Sequence, residues 1–341
     1  MAILRHRCIS LPVRRKSLMH THPSPMANAA ASANARVLSI VSTLYRSESY
    51  LVRFIEACEA AAASLGIDDY EFVFVDDGSP DHSVALLRSL QPEKPRIRII
   101  ELARNFGHHQ AALAGLHHAK GARIFLIDCD LEVDPAVLVA FWRKFEQCDA
   151  DVVYGYQEER KGGLVERGAG GLFWRLFNLM SDTRVPVNLV TERLMTRRYV
   201  DALLSLNDRN IFLAGMMAWA GFSQVGMPVT KLQRQGRSTY SFAKRLRLLA
   251  RAITSFSAKP LYVSLWIGIL ALAASCSHAA YIIVRKLLHP ESTLVGFPSI
   301  VALLTGMFGV MMLALGIIGL YVARIFVQTQ GRPIFIIKHI D

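Results

Sequence analysis

Two aspartates that flank a single cysteine are the residues in this sequence best suited to hold a metal ion. Asp128 and Asp130 follow the apolar run Ile124–Ile127, and Glu132 lies two residues further on. Mg²⁺ and Mn²⁺ prefer oxygen ligands and usually take one or two carboxylates together with phosphate oxygens. Such a cation neutralises the charge that develops on a phosphate leaving group. Because isolated Asp-x-Asp pairs are common by chance, this interpretation depends on what else the chain places nearby.

A second pair of acids stands at the end of an apolar segment upstream. Val73–Val75 is followed by Asp76 and Asp77 and then by Gly78, which permits a tight turn. A carboxylate in such a turn can accept a hydrogen bond from the ring N–H of a nucleotide base. The alternative is a purely structural Asx turn that ends a strand.

The segment Arg104–Gly107 also suits a nucleotide. It opens a helix of small residues, and both helix N-termini and arginine side chains bind phosphate. An ordinary capped helix start is the alternative. Four histidines of this helix could bind a metal, but histidines at the surface or in a cap explain them more simply. They are His108, His109, His117 and His118.

These motifs belong to an alternating pattern of strands and helices. Strands are predicted at Val37–Ser42, Glu71–Val75, Arg96–Leu102, Ile124–Ile127 and Val152–Tyr156, and helices at Ser49–Leu65, Ser83–Leu90, Gly107–Ala119 and Pro135–Gln147. This alternation predicts βαβ units and a mostly parallel sheet, in a Rossmann-like α/β domain over residues 36–235. Ligands of such sheets bind at the carboxyl ends of the strands. Both acidic pairs stand at such ends, so we expect them to share one site.

The charge distribution separates the first residues from the rest of the chain. The net charge is +12, and residues 1–36 carry six basic residues and no acid. Residues 1–35 sustain neither helical nor strand periodicity, so we expect a disordered basic extension, with Met26 as an alternative start.

No zinc-finger spacing or aromatic–basic RNA motif supports nucleic acid as a partner. The five cysteines contain no CxxC pair and indicate neither a disulfide framework nor a zinc site.

Two long apolar segments follow the α/β domain. Leu261–Val284 and Phe297–Ala323 contain no Asp, Glu, Lys or Arg. A helix needs about 20 residues to cross a bilayer, so residues 261–327 predict a two-helix transmembrane hairpin. Basic residues are denser on the two outer flanks than in the connection, and the positive-inside rule then puts the α/β domain and the tail at 328–341 in the cytoplasm. We therefore expect a multi-pass protein of the inner (plasma) membrane.

Residues 236–260, just before the first apolar segment, predict an amphipathic helix in the membrane interface. Apolar side chains recur there at helical spacing. Lys244, Arg247 and Arg251 fall on the opposite face, where they would meet anionic head groups. A surface helix packed on the α/β domain is the alternative. Leu172–Met180 is a weaker candidate for a second interfacial helix, with a core helix as its alternative.

Taken together, these motifs resemble the family 2 glycosyltransferases with the GT-A fold. More narrowly, they resemble the membrane-anchored polyprenyl-phosphate glycosyltransferases, of the dolichyl-phosphate mannose synthase type and its bacterial relatives. The resemblance extends from Val37 to Ile337, and the two apolar segments are its most specific link to the membrane-anchored group. The matching segments are Ser42–Glu48 in a degraded form, Asp76-Asp77, Arg104–Gly107, Asp128–Glu132 with Glu in place of Gln, and Gly236–Ser241.

The resemblance implies a reaction and a set of site residues. A sugar would pass from a nucleotide-diphosphate donor to a polyprenyl phosphate of the undecaprenyl type, with inversion and with Mg²⁺ or Mn²⁺ as cofactor, for a cell-envelope polysaccharide. The implied catalytic residues are Asp128, Asp130 and Arg193, and the implied metal ligands are Asp128, Asp130 and Glu132. The implied donor-binding residues are Tyr45, Glu48, Asp76, Asp77, Arg104, Asn105 and Gly107. The residues expected at the acceptor phosphate and membrane are Arg197, Arg198, Lys244, Arg247 and Arg251. A homo-oligomer is also implied.

One departure from the family pattern concerns the catalytic base. The family's Gly-Asp-Phe-Arg-Leu-Met-Asp-Arg-Arg appears here as Val190–Arg198, so Thr191 stands in place of the candidate base. Glu192 is adjacent but is expected to point elsewhere. A phosphate monoester has a second pKa of about 6, so a lipid phosphate is largely ionised at neutral pH and needs positioning more than deprotonation. Transfer to another lipid acceptor and a catalytically silent membrane scaffold are the alternative functions.

Overall fold

A computed structural model describes residues 37–158, 185–186, 188–231, 257–289 and 296–341. The chain divides into two compact units. The first comprises Met1–Gly168, Val185–Thr239 and Arg332–Asp341, and the second Ala169–Arg184 and Tyr240–Gly331. The predicted extension at 1–35, the predicted helix Leu172–Met180 and nearly all of the predicted interfacial helix at 236–260 lie outside the described residues.

The first unit is an α/β domain. It opens with β1 (Leu38–Leu44), α1 (Leu51–Ser64), β2 (Tyr70–Asp76), α2 (Ser83–Leu90), β3 (Ile97–Leu102), α3 (His108–His118), β4 (Arg123–Leu126), α4 (Val137–Cys148) and β5 (Val152–Tyr156). It continues with β6 (Leu189–Thr196), α5 (Arg197–Leu204), α6 (Leu213–Trp219) and β7 (Gln224–Pro228). The predicted strands and helices up to residue 156 are confirmed, with their ends displaced by at most two residues.

The described strands form one sheet in the order β7-β5-β6-β4-β1-β2-β3-β8, in which β8 is Ile337–Ile340. β1 pairs in parallel with β2 and β4, β2 with β3, and β5 with β7. β6 and β8 run antiparallel to their neighbours. The predicted mostly parallel sheet is therefore confirmed, with antiparallel strands at two positions.

Helices cover the sheet through apolar faces that recur at helical spacing. α1 buries Leu51, Phe54 and Cys58 along one face, and β2 is buried along nearly its whole length, as expected for a strand covered on both faces. α3 packs directly on β1, because a Cβ atom added at Gly115 would lie 2.4 Å from Cγ1 of Val41. This contact holds α3 against the central strands, and its first turn stands where β3 ends.

The last residues of the chain are part of the α/β domain. We expect a separate tail at 328–341, but β8 adds to the edge of the sheet beside β3, with Ile340 opposite Ile100. The Ala103 N–H donates to the Ile336 carbonyl at 2.8 Å. The domain boundaries predicted at 36–235 are thus incomplete, because this short edge strand comes after both long apolar helices.

The second unit contains α7 (Lys259–Leu288) and α8 (Phe297–Thr329). Both helices are long and apolar enough to cross a membrane, by length and composition. Their apolar stretches are 0% buried within the chain, with Trp266, Leu270 and Leu304 each about 60% exposed or more. Apolar faces of this extent need an apolar environment, which a bilayer provides.

Candidate functional site

Four of the predicted site segments stand at one edge of the sheet. Asp76 is the last residue of β2, Tyr45 follows β1, Arg104 follows β3 and Asp128 follows β4. These four strands are parallel, so their carboxyl ends meet at the same edge. The fold therefore brings together the acids that the sequence separates by some fifty positions.

Asp77 holds the loop after β3 in place. Its carboxylate accepts the N–H of Phe106 at 2.6 Å and the N–H of Gly107 at 2.9 Å. The turn itself is packed on that loop, because Gly78 has a φ of +65° and a Cβ there would lie 2.7 Å from the Asn105 nitrogen. Burial raises the pKa of Asp77, and the two backbone hydrogen bonds oppose that rise. Asp77 is thus a positioning residue that holds the start of α3.

Asp76, unlike Asp77, has a carboxylate that can still accept a hydrogen bond from a ligand. It accepts the backbone N–H of Ser79 at 3.1 Å and lines an open cleft. Burial, helped by the negative charge of Glu101, raises the pKa of Asp76 to about 6. The neighbouring Asp81 behaves differently: burial would raise its pKa, but hydrogen bonds from Ser79 and Ser83 bring it down to about 2.

The cleft beside Asp76 has a volume of about 910 Å³. Its walls come from the first turns of α2, the end of β3 and β8, and they include Arg88, Glu101, Arg104 and Lys338. We call this space the β3 cleft. Arg104 is stacked over Phe106, with the guanidinium carbon 4.1 Å from the ring centre. A cleft of this size, with acids and cations on its walls, can take a polar molecule as large as a nucleotide.

The residues after β1 frame the same edge. Tyr45 is 49% exposed, with the guanidinium carbon of Arg46 5.7 Å from its ring centre. Glu48 instead joins two turns: it accepts the N–H of His82 at 3.2 Å, and its own N–H donates to Asp81 at 3.1 Å. The degraded opening motif therefore keeps the contacts that shape the edge.

The two aspartates after β4 differ in their surroundings. Asp130 accepts the N–H of Glu132 at 3.0 Å, and its pKa is raised by burial and by the nearby charges of Glu132 and Asp128. Glu132 itself is paired with Lys231, so its charge is already balanced. Asp128 faces His108, with 3.6 Å between Oδ1 and Nε2. Of the three predicted metal ligands, Asp128 and Asp130 are therefore better placed than Glu132.

His108, which the sequence suggests is a surface or cap histidine, lies beside the aspartate pair. Its other ring nitrogen lies 3.0 Å from the Thr43 hydroxyl, so the ring bridges β1 and Asp128. The only signal in the sequence is its position, directly after Gly107 at the start of α3. The next residue, His109, is half-buried, and desolvation lowers its pKa to about 4.

Glu192 lies near the aspartate pair, so the expectation that it points elsewhere is wrong. It is 1% exposed, and burial together with the charge of Asp128 raises its pKa to about 7. One of its carboxylate oxygens has no hydrogen-bond partner among the described residues. Arg193 points to the other face of β6, where it is buried and donates to the carbonyls of Thr191 and Val190, each at 3.2 Å.

The carboxylates fit a divalent cation that also binds a substrate phosphate. Among the described residues no group of three or more His, Cys, Asp or Glu side chains could hold a metal by itself. Mg²⁺ needs only one or two carboxylates when phosphate oxygens and water complete its shell. Asp128 and Asp130 would supply these, and Glu192, whose pKa burial raises to about 7, would add negative potential when it is ionised.

Arg197 and Arg198 do not reach this edge. β6 runs antiparallel to β4, so its last residue, Thr196, is opposite Arg123 at the start of β4. Arg197 donates to Asp201 and to a carbonyl before β4, and Arg198 pairs with Asp151 before β5. We therefore leave both arginines out of the proposed site. The predicted acceptor residues Lys244, Arg247 and Arg251 lie outside the described residues.

Comparison with known proteins agrees with this architecture. The model of glycosyl transferase family 2 matches residues 39–204. A Mycobacterium tuberculosis protein whose name places it among the glycosyltransferases is 39% identical over 89% of this chain and 88% of its own length. The glycosyltransferase YkcC of Bacillus subtilis is 33% identical over 80% of this chain and 84% of its own. The bactoprenol glucosyl transferase of Shigella phage SfV is 31% identical over 80% of this chain and 88% of its own length. The chain therefore belongs to glycosyl transferase family 2 and is a glycosyltransferase.

Proposed function

We propose that this enzyme transfers a sugar from a nucleotide-diphosphate donor to a polyprenyl phosphate of the undecaprenyl type. The observation that carries the proposal is the meeting of Asp76 with Asp128 and Asp130 at one edge of a family 2 domain whose chain continues into two helices of membrane-spanning length. A relative named bactoprenol glucosyl transferase, aligned over 80% of this chain, supports the choice of a polyprenyl acceptor.

The donor would lie across the carboxyl ends of the central strands. Asp76 accepts a hydrogen bond from the base, Tyr45 stacks on it, and Arg104 with the start of α3 favours phosphate. Asp128 and Asp130 would hold Mg²⁺ or Mn²⁺. When bound, such a cation would supply positive charge that offsets the charge of the diphosphate leaving group. Glu48 and Asp77 keep the surrounding turns in place.

The acceptor phosphate would attack the anomeric carbon directly. One phosphate oxygen forms the new bond to that carbon while the bond to the donor diphosphate breaks on the opposite face, which inverts the configuration. The acceptor oxygen is already an anion at neutral pH, so the threonine at position 191 in place of the family's aspartate does not prevent this step. The basic residues Lys244, Arg247 and Arg251 remain our prediction for the lipid phosphate.

The membrane arrangement follows from charge and length. α7 and α8 would form a hairpin through the inner (plasma) membrane, with the α/β domain and β8 on the cytoplasmic side, because basic residues are denser on the outer flanks than in the connection. In this arrangement the reaction would take place at the cytoplasmic face, where a sugar for an envelope polysaccharide would be loaded onto its lipid. A homo-oligomer stays a prediction of the family resemblance.

The decisive experiment is a donor panel. Purified enzyme is incubated with polyprenyl phosphate, Mn²⁺ and each of several nucleotide sugars, and the lipid is analysed by mass spectrometry. We expect one donor to add a single sugar to the lipid. Nucleotide release without a change in the polyprenyl lipid would point to another acceptor, and the absence of both, with every donor, would leave the silent scaffold as the better description.

A further inference from the structure

We propose that Lys338, on the strand that follows both membrane-length helices, contacts the donor base and restricts the donor to bases with a ring N–H next to a carbonyl group. Uracil, thymine and guanine have this edge, and cytosine and adenine do not. The inference rests on the proposed function, because it takes the β3 cleft as the end of the donor site that receives the base.

The order of the strands determines which way the donor extends. Across the edge the order is β4, β1, β2, β3, β8, and neighbouring strands lie about 4.8 Å apart. Asp128 follows β4 and Asp76 ends β2, two strands away, so they are separated by about 10 Å across the sheet. A nucleotide with its diphosphate at Asp128 and its base at Asp76 therefore directs the base toward β3 and β8.

Lys338 stands on the wall of the space that such a base would enter. It lines the β3 cleft together with Asp76 and Glu101. Its ammonium group lies 3.6 Å from a carboxylate oxygen of Glu101, which is too long for a hydrogen bond. The other oxygen of Glu101 is taken by Arg88. Lys338 is also 67% exposed, so its charge is available to a molecule in the cleft.

The strand that carries Lys338 is held in place at both ends. The Ala103 N–H donates to the Ile336 carbonyl at 2.8 Å, and the Asp341 N–H donates to the Ile99 carbonyl at 2.9 Å. Arg88 adds a hydrogen bond to the Asp341 carboxylate at 3.0 Å. The lysine is thus presented from a paired strand rather than from a loose chain end.

The two side chains together would distinguish bases. A carboxylate such as Asp76 accepts from a ring N–H, and an ammonium such as Lys338 donates to a carbonyl oxygen beside it. Cytosine and adenine present an unprotonated ring nitrogen at that position, which would face the carboxylate as a second acceptor. An unmatched pair of buried acceptors weakens binding, so the same two residues attract one class of base and disfavour the other.

The test uses the full-length enzyme in phosphatidylglycerol nanodiscs with Mg²⁺. Affinities for UDP, GDP, CDP and ADP are measured by calorimetry for the wild type and for Lys338→Met and Lys338→Arg. We expect the wild type to prefer UDP or GDP by about tenfold or more, the strength of one charge-assisted hydrogen bond. Lys338→Met should lose most of that preference while CDP affinity stays unchanged, and Lys338→Arg should retain it.

His339→Gln is the matched control. His339 is the next residue of β8; it contacts Asp341 at 2.6 Å and is not among the residues that line the β3 cleft. This variant should change neither the affinities nor their ratio, even if it loosens the strand. An equal loss for all four nucleotides in Lys338→Met, with a lower Tm, would mean that the lysine serves only the strand and would overturn the inference.

The inference and the proposed function fail in different ways. If the wild type binds UDP or GDP and Lys338→Met binds it with the same affinity and selectivity, the role of Lys338 is wrong and the donor site stands. A wild-type preference for CDP or ADP also overturns the inference alone. If the wild type binds none of the four nucleotides, the proposed function itself is contradicted.

Discussion

Asp77→Asn should lower the Tm and leave nucleotide affinity nearly unchanged. Asp76→Asn, at the adjacent position, should lower nucleotide affinity without lowering the Tm. The Asp77 carboxylate holds the loop before α3 by accepting the N–H groups of Phe106 and Gly107. An asparagine offers only one oxygen to these two donors and turns an amide N–H toward the other. Asp76 accepts the N–H of Ser79 at 3.1 Å, within its own turn, and an asparagine oxygen can still accept this bond.

The stability change follows from these contacts. A hydrogen bond to a charged group contributes about 1.5–3 kcal/mol. We take the low end for Asp77, because its pKa is raised by burial and the amide would also remove the cost of ionising a buried carboxyl. A loss of about 1.5 kcal/mol lowers the Tm of a domain of this size by roughly 3–6 °C. Asp76 holds no such loop, so for Asp76 the cost of ionisation dominates. Its pKa in the folded protein, about 6, exceeds the ordinary 3.8, so its ionisation above pH 6 opposes folding and the amide removes that cost.

Ligand binding should show the reverse order. At pH 7.5 Asp76→Asn replaces the acceptor for the base N–H by an amide, so UDP or GDP affinity should fall about tenfold or more. Asp77→Asn should bind nucleotide nearly normally at temperatures well below its Tm. Thermal unfolding and calorimetry on the same nanodisc samples give both quantities. Equal effects of the two substitutions on Tm and on affinity would refute the division of roles between these acids.

Three further predictions concern the cation, pH and the lipid. Asp130→Asn should abolish transfer at an unchanged Tm, because one charged ligand is lost from a loop; activity that persists in excess EDTA would rule out the metal. Donor affinity should fall as the pH drops through about 6, where Asp76 takes up a proton and can no longer accept the base N–H; a Kd that is constant from pH 7.5 to 5.5 would exclude that role. Changing Lys244, Arg247 and Arg251 together to Gln should raise the KM for polyprenyl phosphate and not the KM for the nucleotide sugar, since each contributes about 1 kcal/mol of attraction to an anionic surface. Equal shifts of both KM values at unchanged stability would remove this segment from the acceptor site.

The α/β elements could be predicted from local patterns. The apolar runs of β1 to β5 and the helical spacing between them identify each element to within two residues. The alternation then requires a mostly parallel sheet, and a parallel sheet requires that Asp76 and Asp128 meet at one edge. The lengths of α7 and α8 are likewise visible in the sequence, because a spanning helix needs a long run without charge.

Strand direction and long-range pairing could not be predicted in this way. Arg197 and Arg198 match the family motif, yet they stand at the far edge because β6 runs antiparallel to β4. β8 has only a short apolar pattern, and the two long helices come between it and its partner β3 in the sequence. A pattern of residues records neither a partner nor a direction when the pairing strands are this far apart.

The sequence by itself therefore determined the class of the domain, the position of its acidic motifs at strand ends and the two membrane-length helices, because each depends on periodicity within one segment. Only the tertiary structure decided which acid holds a loop in place and which acid lines the cleft. It assigned Asp77 to the loop and Asp76 to the β3 cleft, brought Glu192 near the aspartate pair and put Lys338 beside the cleft. The physical reason is that the surroundings of a side chain are set by neighbours from distant segments, through hydrogen bonds, burial and charges that no local pattern contains.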